Sequence, residues 1–304
     1  MKVCVKGFIY FLSLCILAFC LTINAQEHIS SDEEEYRFRY GYHLRAMQNL
    51  PIKDAEAAIK VWVDELSHED SLKSKVHLYK DLDPLIKDFQ KGELDLISID
   101  PLDYLVLMQE VEAELAFNPV KYGKKTNKYL LLVRSDSSFA DITDLRGKKL
   151  VVLKGTHAGL LFLNTLLLRH KQEETDSFFF AIDEKNKVLK VVLSVFFGRA
   201  DACIVPEGAF KTMAELNPQV GKQLRIINSS EELIWGISLF HKDINEKLKE
   251  KIKKITYSLK ERIRGEQILM LFKIEDIVQL EESSLDTLKN LHNEYEKLKA
   301  KKLE

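Results

Sequence analysis

The spacing of apolar positions changes repeatedly along the chain between the period of a strand and that of a helix. Residues 36–42 alternate aromatic side chains with basic or small ones, which is the pattern of a β-strand. Residues 54–66 place Ala58, Trp62 and Leu66 at helical spacing instead. The predicted strands that follow are 76–79, 94–99, 129–134, 149–153, 178–182, 200–205, 224–227 and 233–240, and the predicted helices between them are 82–91, 101 onward, 156–168, 187–197 and 207–216.

Residues that favour helix ends mark several of these boundaries. Gly92 and Gly198 follow two of the predicted helices, and Asp100 with Pro101 begins another, with proline at the first helical position. Strands and helices that alternate in units of this length are joined by right-handed crossovers. The pattern therefore predicts an α/β protein in which each lobe is a mainly parallel sheet flanked by helices.

The strand–helix alternation is interrupted once and then resumes, which predicts two lobes with a cleft between them. We assign residues 36–130 to the first lobe, 131–230 to the second, and 231–304 to a return to the first lobe plus C-terminal helices. The hinge strands are expected near 129–134 and 227–233.

The C-terminal segment is helical and rich in Lys and Glu from Ile244 onward. Its last predicted helix carries one apolar stripe, which is expected to face the core or dock on another element; the stripe consists of Leu285, Leu288, Leu291, Tyr295 and Leu298.

The N-terminus has the three parts of a secretory signal peptide. Lys2 and Lys6 precede an uncharged apolar run over 8–21, and Ala25 provides a small residue for cleavage. We assign residues 1–25 to a cleaved signal peptide, 26–35 to a disordered acidic lead-in, and the mature protein to the periplasm. The alternatives are a lipoprotein anchored at Cys20 and an uncleaved interfacial anchor.

Charge and cysteine positions exclude other classes of protein. The chain has 45 Lys and Arg against 47 Asp and Glu, so it lacks the basic field expected of a nucleic-acid-binding protein. Cys4, Cys15 and Cys20 lie within the predicted signal peptide, which leaves Cys203 alone in an apolar strand. An internal disulfide is therefore not expected, and Cys203 is predicted to be an inert core residue.

Enzyme motifs find little support in the sequence. The segment 155–159 has the glycine spacing of a nucleophile elbow but places His157 where a serine is required. The chain carries neither a glycine-rich dinucleotide fingerprint nor a phosphate-loop lysine, and its histidines lack metal-ligand spacing. We expect no cofactor, no metal and no catalytic residues, and an enzyme on the same fold is the remote alternative.

Several short segments form an ordered set along the chain, namely 92–96, 100–104, 144–152, 155–159, 198–202 and 265–274. In this order they resemble the phosphate- and phosphonate-binding branch of the type II periplasmic solute-binding proteins of ABC transporters. The resemblance covers nearly the whole mature chain. It implies the two-lobed type II fold with a helical C-terminal segment, and a receptor that closes on a small ligand.

The resemblance also implies a binding site at the helix that begins at residues 155–159. The backbone N–H groups and positive dipole end of such a helix bind anions, and Thr156 and His157 can add side-chain donors. The expected ligand-binding residues of this loop are Gly155, Thr156, His157, Ala158 and Gly159.

Other residues are expected to line the same cleft, because open α/β sheets bind ligands beyond the carboxyl ends of their strands. Asp100 opens a second helix from the opposite lobe, Tyr42 and Tyr104 are candidate lining residues, and Glu207 can take a cationic part of the ligand.

Each of these residues also has a purely structural interpretation. The loop can be an ordinary helix start capped by Thr156, the two tyrosines can pack against the sheet edge, and Glu207 can cap a surface helix. The related loop has hydroxyls where this chain has His157 and Ala158, which leaves an anionic or zwitterionic ligand as the expectation rather than phosphonate specifically.

The predicted function is ligand capture between the lobes for uptake through a membrane permease. The alternative is a periplasmic sensor that signals to a membrane sensor kinase. The protein is expected to be a monomer without a nucleic-acid partner.

Overall fold

The computed structural model describes residues 37–47, 52–68 and 72–303, so the predicted signal peptide and acidic lead-in lie outside the described residues. The strands are β1 (Arg37–His43), β2 (Lys73–Tyr79), β3 (Leu96–Ile99), β4 (Ala113–Val120), β5 (Thr126–Asn127), β6 (Tyr129–Arg134), β7 (Lys149–Leu153), β8 (Ala181–Lys185), β9 (Ala202–Pro206), β10 (Leu224–Ser229), β11 (Leu233–Ile234), β12 (Ile237–His241) and β13 (Asp276–Gln279).

The helices alternate with these strands in the first two thirds of the chain and dominate the last third. They are α1 (Ile52–His68), α2 (Leu82–Gln90), α3 (Pro101–Leu107), α4 (His157–Arg169), α5 (Thr175–Phe178), α6 (Val188–Phe196), α7 (Glu207–Leu216), α8 (Pro218–Gln223), α9 (Glu246–Tyr257), α10 (Ile263–Leu271) and α11 (Asp286–Leu303). No helix among the described residues is long and apolar enough to span a bilayer.

Within the described residues the strands form two large sheets, which we call the first and second lobes. The first-lobe sheet has the order β13-β4-β12-β3-β1-β2, and the second-lobe sheet has the order β10-β6-β9-β7-β8. Pairs joined by helical crossovers are parallel, as the alternation predicts: β1 with β2 and β3, and β7 with β8 and β9. The remaining pairs are antiparallel, so both sheets are mixed rather than mainly parallel.

Two short segments connect the lobes. The chain leaves the first lobe through β5 and returns through β11, and these two strands pair antiparallel with each other. Each crossing is direct, without an intervening helix, and the strand that follows it runs antiparallel to its neighbour: β6 to β9 and β12 to β3. These two strands make the sheets mixed. The segments expected to act as hinges lie next to this pair: β6 belongs to the second-lobe sheet and begins two residues after β5 ends.

The prediction of a strand over 178–182 is wrong at its start. Phe178 ends the short helix α5, and strand β8 begins only at Ala181. Phe178 and Phe179 are buried edge to face, with ring centroids 5.1 Å apart, whereas Phe180 is 84% exposed. The rings of Phe178 and Phe179 therefore pack in the core, and the residues before Ala181 do not pair as a strand.

The last helix docks on the second lobe. Leu285 and Leu288, from the predicted stripe, are fully buried, and α11 contacts α4. At the edge of this contact Arg169 donates two hydrogen bonds of 2.7 Å to Glu294, and Tyr295 donates one to Glu174. The C-terminal segment returns to the first lobe and then crosses to the second.

Candidate functional site

The first side of the site is the start of helix α3 in the first lobe. Asp100 follows β3 and caps α3: its Oδ1 accepts a hydrogen bond of 2.9 Å from the Leu102 N–H, and Pro101 occupies the first turn. The sequence predicts this helix start from the Asp-Pro pair. Asp100 is only 1% exposed, so its carboxylate is enclosed where the two lobes meet.

The second side is the start of helix α4. Gly155 adopts a φ of +79°, a left-handed conformation that glycine adopts without strain, and this turn leads strand β7 into α4. Gly159 lies so close to β6 that a Cβ there would stand 2.9 Å from the Tyr129 ring. Gly159 and Ala158 are buried in this packing, and His157 is left as the side chain of the first turn that reaches the other lobe.

His157 and Asp100 meet across the lobe boundary. The His157 Nδ1 atom lies 3.1 Å from Asp100 Oδ2. A carboxylate only accepts hydrogen bonds, so His157 donates to Asp100 in the tautomer that carries its proton on Nδ1. In the other tautomer the same nitrogen accepts from Arg45 Nε, which lies 3.3 Å away. Arg45 also donates to Asp103, at 3.0 Å from Nη1 to Oδ1.

Tyr42 and Tyr129 stand beside the same carboxylate. Burial, and after it the negative charge of Asp100, raise the pKa of both phenol groups well above the usual value. Both hydroxyls therefore stay protonated at neutral pH and can donate hydrogen bonds. The side chains of Thr156 and Asn127 hydrogen-bond with the Tyr129 phenol, and these two contacts partly offset the increase in its pKa.

A cavity of about 160 Å³ begins where strands β1, β3, β7 and β9 end. Both lobes contribute to its wall, and the connecting segments close one side of it. Its principal lining residues are Tyr40, Tyr42, Trp62, Ser98, Phe117, Lys121, Tyr122, Leu153, Val188, Pro206, Trp235, Phe272 and Lys273. His157 lines an outer groove together with His43, Arg45 and Asp103. Its contact residue Asp100 directly follows Ser98 and Ile99, which line the cavity.

Two predicted site residues lie apart from this cluster. Tyr104 faces a separate groove beside α11, where Lys289 Nζ lies 5.9 Å from the centroid of its ring. Glu207 begins α7 and is paired with Lys211 at 3.0 Å and Lys124 at 3.3 Å, and these lysines lower the pKa of its carboxyl. Tyr42, Asp100, Thr156 and His157 are the predicted residues that the structure brings together.

Several residues of the cluster were not predicted. Tyr129 begins β6, where the sequence shows an apolar run, and Asn127 lies in a short polar segment between the lobes. Trp62 has the ordinary helical spacing of a core residue. The basic Arg45 lies in a short 3-10 helix whose sequence has no periodic signal. Within the residues the structure describes, no group of three or more His, Cys, Asp or Glu is arranged to hold a metal ion.

Comparison with solved structures identifies the fold. A binding protein component of an ABC phosphonate transporter from Pseudomonas aeruginosa matches with a TM-score of 0.62 and 11% identity, covering 88% of this chain and 89% of that one. PhnD1 from Prochlorococcus marinus, solved with methylphosphonate, matches with a TM-score of 0.62 and 14% identity, covering 86% and 99%. A Xanthomonas citri protein bound to ATP matches with a TM-score of 0.60 and 14% identity, covering 87% and 98%. The chain has the fold of type II periplasmic binding proteins, as the sequence predicts.

Comparison of the sequence itself identifies the family. No curated protein matches the chain at a significant level. The family model for the ABC transporter, phosphonate, periplasmic substrate-binding protein matches residues 50–285, which is most of the chain; strand β1 lies before the matched range. The chain therefore belongs to the periplasmic substrate-binding protein family of ABC phosphonate transporters.

Proposed function

We propose that this protein is an exported receptor that captures a small anionic or zwitterionic ligand between its two lobes and delivers it to the membrane permease of an ABC transporter. The observation that carries the proposal is the contact of His157, at the start of α4, with Asp100, at the start of α3. It places both helix starts, from opposite lobes, around one point.

The groups around this point suit an anion. The first turn of the 13-residue helix α4 has N–H groups without intrahelical acceptors and the positive end of the helix dipole. Tyr42, Tyr129 and Thr156 add hydroxyl groups, two of them kept protonated at neutral pH. A phosphonate or carboxylate group bound here accepts from fixed donors rather than from flexible surface lysines.

The negative charge of Asp100 favours a zwitterionic ligand over a simple anion. Its carboxylate lies beside the expected anion site, so a simple phosphate meets a like charge. A zwitterion avoids this conflict, since its cationic group can pair with Asp100 while its anionic group binds the start of α4. We assign to Asp100, at the start of α3, the role that the sequence predicts for Glu207, because Glu207 lies apart from the start of α4.

Calorimetry and thermal unfolding against a ligand panel test the proposal. The panel consists of 2-aminoethylphosphonate, methylphosphonate, phosphate, phosphite and acetate. We expect 2-aminoethylphosphonate to bind more tightly than phosphate, and a ligand at 100 times its Kd adds about 2.7 kcal/mol to the free energy of unfolding. A panel in which no compound binds or raises Tm contradicts the proposal.

A matched pair of threonine variants locates the site. Thr156→Val removes a buried hydroxyl at the start of α4 and should weaken binding about tenfold, while Thr212→Val changes an exposed threonine on α7 and should leave it unchanged. If the two variants bind the ligand with equal affinity, the start of α4 is not part of the binding site.

The mature N-terminus tests export. Cleavage of the proposed signal peptide predicts a periplasmic protein that begins at Gln26. A mature chain that begins at a lipidated Cys20 contradicts this assignment.

A further inference from the structure

The cavity beside Asp100 and His157 has room for one small apolar group. Its volume is about 160 Å³, and a cavity of about 150 Å³ lined by apolar side chains accommodates benzene. Ser98 and Ile99, the residues immediately before Asp100, line it, so it is adjacent to the point at which the ligand is proposed to bind. A methyl group attached to a bound phosphonate leaves most of this space unfilled.

The walls of the cavity are aromatic. The Trp62 ring lies edge to face with Tyr40, at 5.1 Å between centroids, and with Phe272, at 5.8 Å. On the side of the connecting segments, the ring centroids of Tyr122 and Trp235 lie 5.9 Å apart. Aromatic walls of this kind favour a flat apolar group through edge and face contacts.

One donor in the wall has no acceptor. Trp62 is 7% exposed, and its Nε1–H has no hydrogen-bond partner among the residues that the structure describes. Buried indole N–H groups ordinarily find a partner. An oxygen atom of a bound ligand, or the face of the ligand's aromatic ring, can accept the hydrogen bond from this N–H group.

The charge at the cavity is positive. Lys121 and Lys273 both line it, and the lining residues among the described part of the chain include neither Asp nor Glu. Lys121 Nζ lies 5.3 Å from the centroid of the Trp235 ring. The nearby Glu275 carboxylate accepts from the backbone N–H groups of Tyr122 and Gly123, at 2.9 and 2.8 Å. The two ammonium groups therefore favour a ligand that carries a negative charge next to the group in the cavity.

We infer that this cavity holds the organic group of the captured ligand, and that the ligand is an acid with one phenyl-sized apolar group. The inference rests on the capture proposed above and names the class of ligand within it. An arylalkyl phosphonate, with or without an amino group, has the required parts.

Two phosphonates that share a head group test the inference on the wild-type mature protein. Benzylphosphonate should bind at least about tenfold more tightly than methylphosphonate in calorimetry. Trp62 and Trp235 are the two tryptophans of the chain and both line the cavity, so benzylphosphonate should also change the tryptophan emission. Equal or weaker binding of benzylphosphonate, or binding without an emission change, overturns the inference.

A pair of tryptophan substitutions provides the matched control. Val188→Trp fills the cavity from the second lobe, whereas Leu189→Trp adds the same side chain at the next position, which is 54% exposed and outside the lining. Val188→Trp should weaken benzylphosphonate at least about tenfold and leave methylphosphonate within about twofold, and Leu189→Trp should change neither. If Val188→Trp leaves benzylphosphonate unchanged, the group does not occupy the cavity.

The two proposals fail in different ways. If wild-type protein binds methylphosphonate or 2-aminoethylphosphonate but shows no preference for benzylphosphonate, the ligand class is wrong and capture between the lobes stands. If it binds neither these three compounds nor phosphate, phosphite or acetate, both proposals are contradicted.

Discussion

At the scale of single residues, Asp100 connects the local structure to the site. It caps α3, contacts His157 in the other lobe and, after burial, is the second cause of the raised pKa of Tyr42 and Tyr129. The cap is predictable from the adjacent proline, because helix starts are decided by neighbouring residues. The contact with His157 is not, because those residues are brought together only by the crossing of the chain between lobes.

The charge of Asp100 can be separated from its capping role. In Asp100→Asn the amide oxygen can still accept from Leu102 N–H, so the free energy of unfolding should change by less than about 1 kcal/mol. We expect calorimetry to show about tenfold weaker binding of 2-aminoethylphosphonate and tighter binding of phosphate, because the carboxylate charge is gone. If both affinities fall together, Asp100 acts on the ligand through structure rather than charge.

At Lys121, burial of a charged amine lowers the stability of the fold. Burial, and next the charge of Lys273, lower the pKa of its amine to about 8 from 10.5. Between these values the unfolded chain binds more protons than the folded one, so this group makes the fold more stable as pH rises from about 8 to 10.5. Below pH 8 the charged amine carries the full cost of its burial.

Replacing Lys121 should therefore stabilise the protein and impair binding. Lys121→Met keeps an apolar stem and should raise the free energy of unfolding at pH 7 by about 1–2 kcal/mol, with the gain lost above pH 10.5. Affinity for an acidic ligand should fall in the variant and, in the wild type, should fall as pH rises through 8. Denaturation and calorimetry at pH 7 and pH 9.5 measure both effects; a destabilised variant at pH 7 contradicts the account.

At the scale of elements, the sequence predicts what local periodicity decides. Helices α2 and α6 end before Gly92 and Gly198, both with positive φ, and α3 begins at Pro101, as their end signals indicate. Strands β4 and β13 were missed because β4 contains Pro119 and because distant pairing defines both strands: β4 pairs with β12 and β13 pairs with β4. The predicted strand 233–240 is divided at Trp235 and Gly236, where the chain turns from the crossing pair into the first-lobe sheet.

The docking of α11 on α4 tests which forces hold an element in place. Leu288 is fully buried, so Leu288→Ala should lower the free energy of unfolding by about 2–4 kcal/mol. The Arg169–Glu294 pair is partly exposed on both sides, so Glu294→Gln should cost at most about 1 kcal/mol. Urea unfolding measures the free energy of unfolding of both variants. A larger decrease for Glu294→Gln than for Leu288→Ala would contradict the claim that apolar contacts hold α11 on α4.

At the scale of the whole molecule, two connections and one apolar cluster join the lobes. The cluster runs through residues of both sheets and of the last helix, including Ile99, Leu131, Val152, Leu167 and Leu288. The two-lobed arrangement follows from the interrupted strand–helix pattern. The extent of the contact between the lobes does not, because apolar residues within one element do not reveal which lobe covers them.

Hydrogen exchange with and without ligand tests the central claim, capture between the two helix starts, most directly. Addition of a phosphonate that binds in calorimetry should slow amide exchange together in residues 156–160 of the second lobe, in 98–104 of the first, and in the connecting segment 126–129. Protection confined to one lobe, or centred on the groove of Tyr104 and Lys289, would contradict it.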